Sequence, residues 1–227
     1  MLKKSWFCII FLFLFSLSVN AELIDNLKFK GFIADHANLI SDDVEYNLNM
    51  TLWDLQKKTG SDIAVVTMPS LEGRSVEDAA LYIGRTYKVG AKEKNNGIVF
   101  LTALEERRMR IEVGTGLDKR VSMSVFENIR DNDILPYYKN NDYENGIARG
   151  TYKLADVVAE LENVQISRQG TCPQKITSNS NEEVPTWALP MMIIGAILKS
   201  RRRRSSGFGG GFGGGGGFGG SGCSGGW

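Results

Sequence analysis

Apolar residues recur every three or four positions from Val44 to Leu55, which places them on one face of a helix. Ser41 stands where a helix N-cap is expected, and two aspartates follow it in the first turn. Gly60 stands where a left-handed C-cap is expected. The pattern therefore predicts a helix that begins after Ser41 and ends before Gly60.

The next hundred residues alternate between short apolar runs and helical patterns. Three strands are predicted, at 62–67, 98–103 and 110–113. Further helices are predicted after a capping box at Ser75, at about 122–132 and at 143–162. A polar turn at 92–97 precedes the second strand, and a hairpin turn at 105–108 precedes the third.

This order of elements predicts the fold class. A strand, a helix and a second strand form a right-handed parallel crossover, and a hairpin then adds an antiparallel strand. Helices before, between and after the strands can cover both faces of the sheet. We therefore expect an α/β protein, a three-layer α/β/α sandwich with a small mixed sheet. Ligands of such sheets bind beyond the carboxyl ends of the strands, here after Thr67 and Ala103.

The N-terminal segment has the pattern of a secretory signal. Lys3 and Lys4 precede an apolar stretch at 6–17, and small residues occupy the two positions before a cleavage site after Ala21. An uncleaved anchor is the alternative. We divide the rest into a domain, a polar linker, an apolar helix and a basic, Gly-rich tail. Their bounds are 22–165, 166–184, 185–198 and 199–227.

The apolar segment 185–198 is short for a bilayer, because about 20 helical residues are needed to cross one. It can span with local thinning, lie in the membrane interface, or form a short buried helix. The arginines at 201–204 favour a short transmembrane helix under the positive-inside rule. That orientation predicts a membrane protein with its domain outside the cytoplasm and its tail in the cytoplasm.

The tail is expected to be disordered, because glycine loses much backbone entropy on folding and few apolar residues accompany it. The alternative is weak self-association through its spaced aromatic residues.

Charge and composition limit the function classes. Residues 22–183 carry 26 acids and 20 bases, a balance of about −6, which excludes a nucleic-acid partner and is compatible with cation binding. Cys172 and Cys223 do not form a disulfide framework or a zinc motif. His36 is the single histidine, and no G-x-S-x-G accompanies it, so a serine hydrolase triad is excluded.

Four ordered motifs lie within residues 31–160. They are FIADHANLIS, KKTGSDIAVVTMPSLEGRSVEDAA, YKVGAKEKNNGIVFLTALEERRMRIEVGTGLD and ILPYYKNNDYENGI. Together they resemble the TPM domain family, which includes thylakoid-lumen and bacterial envelope proteins, and the resemblance covers nearly all of residues 31–160. The C-terminal apolar segment, arginines and Gly-rich tail are similar to those of YgcG-like bacterial membrane members, which implies a bacterial inner-membrane protein with its domain in the periplasm. The resemblance implies an α/β/α sandwich.

The resemblance also implies two activities. One is binding of a divalent cation, calcium or magnesium, at a carboxylate cluster, for which the matching positions are Asp35, Asn95, Glu112 and Asp118. Asn96 and Gly97 adjoin that cluster as candidate ligand-binding residues. The other activity is a phosphatase, for which Asp35 and Arg110 are the catalytic candidates.

This sequence departs from the family at the cation site. Asn95 replaces an aspartate, Met123 replaces another, and Asp118 replaces a glutamate. Two lost carboxylates reduce the number and charge of the oxygen ligands that calcium needs. Some of these positions also have a structural interpretation: Asp35 as a turn cap, and Glu112 as a solvated strand residue or a partner of Arg110. Asn95, Asn96 and Gly97 fit a tight turn that needs a positive φ.

We therefore expect a non-catalytic, membrane-anchored envelope module that binds a partner protein or a divalent cation. A phosphatase is the competing hypothesis, and an assembly or proteolysis adaptor at the membrane is the third.

Overall fold

The computed structural model describes residues 24–174 and 211–227. The predicted signal at 1–21, the apolar segment at 185–198 and the arginines at 201–204 lie outside the described residues. Within the described ranges, no helix is long and apolar enough to cross a membrane. The transmembrane helix therefore stays a prediction from the sequence.

The chain contributes five strands and six α-helices within those ranges. The strands are β1 (Ile33–Asp35), β2 (Ile63–Met68), β3 (Ile98–Ala103), β4 (Arg108–Gly114) and β5 (Phe218–Gly226). The helices are α1 (Asp42–Thr59), α2 (Val76–Thr86), α3 (Thr115–Asp118), α4 (Met123–Ile129), α5 (Leu135–Lys139) and α6 (Tyr143–Leu161). A π-helical segment, Arg130–Ile134, joins α4 to α5.

The five strands form one mixed sheet in the order β1-β2-β3-β4-β5. Strands β1, β2 and β3 are parallel, whereas β4 is antiparallel to β3 and β5 is antiparallel to β4. The predicted α/β fold with a mixed sheet is confirmed. The parallel crossover from β2 to β3 and the hairpin from β3 to β4 also lie where the sequence predicts them.

Two hydrophobic clusters cover opposite faces of the sheet. Alternate strand residues such as Val65, Phe100 and Ile111 pack against α1 and α6 in the larger cluster. The intervening residues, such as Val99 and Leu101, pack against α2 in the smaller cluster. We refer to these sides as the α1/α6 face and the α2 face. The period-two alternation of a strand explains why each strand supplies both faces.

Helix boundaries agree with the predicted caps, with one difference. Gly60 adopts the left-handed conformation (φ 73°), and the Ser75 hydroxyl accepts a hydrogen bond from Asp78 N at 3.0 Å. Ser41 holds the N-cap position of α1, but its side chain makes no capping hydrogen bond. The helix predicted at 122–132 ends at Ile129, after which the chain passes through the π-helical segment.

The prediction of a disordered tail is wrong for residues 211–227. Residues 218–226 form β5 and pair with β4 along its length, from Arg108↔Gly226 to Gly114↔Phe218. Glycine makes this possible because its bare backbone can approach another strand more closely than a side chain allows. Phe218 and Cys223 supply the apolar burial that glycine lacks, at 4% exposure each.

The pairing of β5 with β4 has a consequence for topology. Both strands belong to one sheet, so a chain folded in this way has its domain and its tail on the same side of any membrane. Where the domain and the tail lie relative to a membrane stays a prediction, because residues 185–204 lie outside the described ranges.

The first residues of the predicted linker lie against the domain. Ser167 N donates to Asp54 Oδ2 at 2.6 Å, and the Tyr152 hydroxyl donates to Gln169 O at 2.6 Å. These bonds fasten the segment to α1 and α6.

Candidate functional site

Asp35 ends β1 and organises the loop that leads into α1. Its Oδ1 accepts from Leu39 N at 3.0 Å, and its Oδ2 accepts from Ile40 N at 2.9 Å. The Thr67 hydroxyl also donates to Oδ1 in a very short hydrogen bond. Three donors from the protein itself therefore engage the carboxylate, which agrees with the capping interpretation.

His36 lies beside this loop. Its backbone N donates to Thr67 O at 3.1 Å, and its Nε2 accepts from Lys28 N at 3.2 Å. Burial lowers the pKa of His36, although the neighbouring charge of Asp35 opposes the shift. The neutral imidazole is thus the form that fits this hydrogen bond.

Arg110 and Glu112 form a buried ion pair on β4. Their side chains are 7% and 0% exposed, and Arg110 Nη2 lies 2.6 Å from Glu112 Oε2. Arg110 Nε donates to the same oxygen at 2.8 Å. Burial raises the pKa of Glu112, while Arg110 opposes the shift. The second oxygen, Oε1, has no hydrogen-bond partner among the described residues.

The C-terminal tail covers this ion pair. Arg110 Nη1 donates to Ser224 Oγ at 2.9 Å, and Nη2 donates to Gly220 O at 3.0 Å. Ser224 Oγ in turn donates to Glu77 Oε1 at 2.5 Å. Asp118 is also held by the tail, because its Oδ2 accepts from Ser221 Oγ at 2.9 Å.

The turn at Asn95, Asn96 and Gly97 lies directly before β3 and contacts α3. Asn95 has φ 48°, the left-handed conformation expected for this turn, and its carbonyl accepts from Gly116 N at 2.9 Å. Asn96 is buried and bonded on both sides, to Ala91 N at 2.9 Å and to Ser61 Oγ at 2.8 Å. A Cβ at Gly97 would lie 2.3 Å from Val89 O, so this glycine is a packing requirement.

The structure separates Asp35 from the other predicted site residues. Asp35 lies at the level of Met109 in the register, three residues from Glu112 along the strand direction and three strands away. Standard spacings then put the backbones of Asp35 and Glu112 roughly 17 Å apart. They also alternate onto different faces, with Asp35 on the α1/α6 face and Glu112 on the α2 face.

Asp35 and Arg110, the two catalytic candidates, are separated in the same way. Arg110 faces α2 from a position three strands away from β1. Across residues 24–174 and 211–227, no group of three or more His, Cys, Asp or Glu side chains could hold a metal ion.

Two further acidic residues, both in the π-helical segment, are engaged in ion pairs. Asp133 is buried and lies 2.6 Å from Arg149 Nη2. Asp131 lies 2.7 Å from Arg130 Nε. Both interactions favour a structural role for these carboxylates.

The sequence did not predict which residues of the domain bind the tail. Asp62 is buried and accepts from Gly213 N at 2.6 Å and from Gly90 N at 2.8 Å. Arg85 donates to Phe218 O through Nε at 3.1 Å and Nη2 at 2.8 Å. The signal in the sequence that could have indicated docking of the tail is its spaced aromatic residues, because aromatic side chains are favourable to bury.

The last residue of the tail occupies an aromatic pocket. The Trp227 ring lies 4.6 Å from the ring of Tyr138 and 5.8 Å from that of Tyr143, centroid to centroid. Trp227 Nε1 donates to the Tyr143 hydroxyl at 3.3 Å. Edge-to-face geometry of this kind is favourable for aromatic rings and fixes the end of the tail.

Comparison with known proteins identifies a family for the domain. The family model of the TPM domain matches residues 33–157, and no curated protein matches the chain. The N-terminal domain of a P. gingivalis protein, solved by NMR, is similar in fold at 21% identity, with a TM-score of 0.56. That match covers 67% of this chain and 99% of the other. The BA42 protein of Bizionia argentinensis is 20% identical, with a TM-score of 0.48, covering 54% of this chain and 83% of that one.

Proposed function

The chain belongs to the TPM domain family, and we propose that it is a non-catalytic module that binds an extended partner segment along the edge of its sheet. The observation that carries this proposal is β5, an extended segment paired with β4 over residues 108–114. Addition of a strand to a sheet edge is a common mode of peptide recognition, in which backbone hydrogen bonds supply affinity. In this protein β5 occupies that side of β4, so a partner segment binds there when the tail is released.

The state of the polar side chains supports a binding role over a catalytic one. Asp35 uses both of its carboxylate oxygens to hold the 36–40 loop, and Arg110 is committed to Glu112 and the tail. A phosphatase needs groups that converge on one phosphoryl centre. Asp35 and Arg110 lie on different faces of the sheet, so they do not support that mechanism.

We place the domain and the tail together on the outer side of a bacterial cell membrane. The signal pattern at 1–21 supports export. For the apolar segment 185–198, the interfacial alternative fits better than spanning, because it leaves the tail on the side of the domain. Apolar and basic residues together favour binding at the surface of an anionic membrane. Protease added to spheroplasts should then cleave both the domain and the tail.

Photo-crosslinking from the sheet edge tests the binding role. A photoreactive residue at Arg108, which is exposed on β4, should give protein adducts in intact cells. The same residue at Tyr46, 50% exposed on α1, is the matched control. A synthetic peptide of residues 211–227 should suppress the Arg108 adducts alone. Identical adducts from the two positions, unaffected by peptide, would contradict the proposal.

Cation binding is a second candidate, favoured by Glu112 Oε1, which is buried and has no hydrogen-bond partner within 24–174 and 211–227. The positive charge of Arg110 beside it opposes a cation and would weaken such a site. A calcium or magnesium site filled at 100 times its Kd should stabilise the full chain by roughly 2.7 kcal/mol. Thermal melts with each ion and with EDTA, repeated for Glu112→Gln, measure this. Identical melts in all conditions would remove the candidate.

A further inference from the structure

The tail lies in a groove that excludes side chains at several positions. A Cβ at Gly222 would lie 2.3 Å from Ile111 O, and one at Gly215 would lie 2.4 Å from Gly90 O. Both distances are far below any real carbon–oxygen contact, and both obstructing atoms belong to the backbone, so the groove selects glycine at positions 215 and 222. A Cβ at Gly217 would instead meet the side chain of Asn95, which can move.

Arginine side chains on the groove wall bind the carbonyl groups of the tail. Arg85 reaches Phe218 O, Arg110 reaches Gly220 O, and Arg130 Nη1 donates to Ser224 O at 3.0 Å. Charge-assisted hydrogen bonds to main-chain carbonyls are strong and independent of the side chains in the bound strand. The groove therefore recognises an extended backbone.

One end of the groove supplies specificity for an aromatic residue. Tyr138 and Tyr143 enclose the Trp227 ring, and the Trp227 backbone N donates to Arg107 O at 3.4 Å. The fitting ligand is thus a Gly-rich strand followed by a tryptophan whose ring packs against Tyr138 and Tyr143. Among the residues of this chain, 211–227 have that chemistry.

We propose that this groove also binds residues 211–227 of a second copy of the chain, so that copies are joined by exchange of their tails. The segment that makes all of the groove contacts described above is residues 211–227 of the same chain, and a second copy carries the same segment. The 36 residues between Gln174 and Gly211 could extend over roughly 120 Å at most, so chain length does not confine the tail to its own domain. Reciprocal exchange would give a symmetric pair. This inference deepens the proposed binding role and rests on it.

A disulfide trap between two full-length copies tests the exchange. Ile111 is the register partner of Cys223 and lies within the Cα separation that a disulfide can bridge. One copy carries Ile111→Cys and Cys223→Ser, and the other keeps Cys223. Serine replaces every other cysteine in both. Mixed in detergent with oxidised glutathione, they should form a disulfide-linked pair. Tyr46→Cys in place of Ile111→Cys is the matched control and should form none.

A single chain that holds both Ile111→Cys and Cys223 provides the reference. If it closes its internal disulfide while the mixed copies form no linked pair, tail exchange is refuted and the strand-binding role remains. If it does not close, β5 does not dock as described and both fail. Ile111 and Val113 are both fully buried, but the pair Val113→Cys and Ser221→Cys, also register partners, removes less side-chain volume from the core and repeats the test.

A peptide competition supplies a second measurement. Cys223 is buried in the docked tail, so its reaction with a thiol reagent reports release of β5. A peptide of residues 211–227 with Cys223→Ser should accelerate labelling of Cys223 in the full chain at least threefold. The same peptide with Trp227→Ala should not. Equal labelling rates with and without the first peptide would contradict the exchange.

Discussion

Strands β3 and β5 flank β4 in the same sheet, but different interactions hold them there. All six residues of β3 are buried, and its side chains contribute to the hydrophobic clusters on both faces. In β5, five of nine residues are glycine, and Phe218 and Cys223 are the buried apolar anchors. Hydrophobic burial stabilises β3, whereas backbone pairing, arginine contacts and a terminal tryptophan stabilise β5.

The difference predicts unequal stability within one sheet. Glycine loses more backbone entropy on ordering than any other residue, so a Gly-rich strand gains less free energy by docking. Segments with few buried apolar contacts open before the whole domain unfolds. We therefore expect β5 to be released from β4 while β1 to β4 remain folded. The variants below separate release of the tail from unfolding of the domain.

The largest expected effect comes from Arg110→Ala, at the point where the two regions meet. The substitution leaves Glu112 buried without its ion-pair partner. Removing one member of a buried pair typically costs about 3–5 kcal/mol. Urea unfolding should show this loss in the whole domain. Arg108→Ala, on the same strand but with its side chain 49% exposed, should change the free energy of unfolding by less than about 0.5 kcal/mol.

Replacing both Arg110 and Glu112 distinguishes two causes of the lost stability, an unpaired buried charge and lost packing. Arg110→Met with Glu112→Leu removes the pair without stranding either charge, so most of the stability should return. If the double variant is as unstable as Arg110→Ala, packing against the tail is the dominant contribution.

The next effect is a release of the tail at high pH. Burial raises the pKa of Cys223 from its ordinary value of 9.0 to about 11. The docked tail favours the neutral thiol, so this stabilisation is complete below pH 9 and is lost as pH rises to about 11. Two pKa units correspond to about 2.7 kcal/mol. Trp227 fluorescence should follow the release, and Cys223→Ala should abolish the change in that window. A change that persists in Cys223→Ala belongs to other groups.

The central sheet is predictable from sequence because its signal is local. The strand predicted at 98–103 coincides with β3, since a run of apolar residues bounded by polar turns has few alternatives. Strand β1, with three residues, is too short to show a pattern. Strand β5 has the composition that strand propensity disfavours, and its order depends on a groove formed by distant residues.

The candidate site divides in the same way. The positive φ of Asn95 and the capping role of Asp35 depend on neighbours in sequence, and both were predictable. Asp35 and Glu112 are separated because they lie on opposite faces of the sheet. This separation could be predicted only with the register of four strands in hand. The tail covers Arg110, and its docking there could not be predicted from the sequence alone.

Gly222→Ala should release the tail without unfolding the domain. Its Cβ would collide with Ile111 O, and backbone cannot move aside as a flexible side chain can. Overpacking of this kind costs roughly 1–3 kcal/mol. Cys223 labelling should accelerate about tenfold, while the urea midpoint of the domain changes little. Gly226→Ala is the matched control, because its Cβ would lie 3.5 Å from the nearest atom. Equal labelling of the two variants would mean that the groove does not select glycine.

The smallest effect is expected from Asp35→Asn, at the opposite side of the sheet from β5. The substituted amide would keep one acceptor oxygen but point an NH₂ group at a loop N–H, which leaves a donor facing a donor. The cost is about 1 kcal/mol, and hydrogen exchange should show it at Leu39 and Ile40. Cys223 labelling should not change, because β2, β3 and β4 separate this loop from β5. Faster labelling would show that the two ends are coupled. Loss of a measured phosphomonoesterase activity in this variant would instead restore the catalytic hypothesis for Asp35.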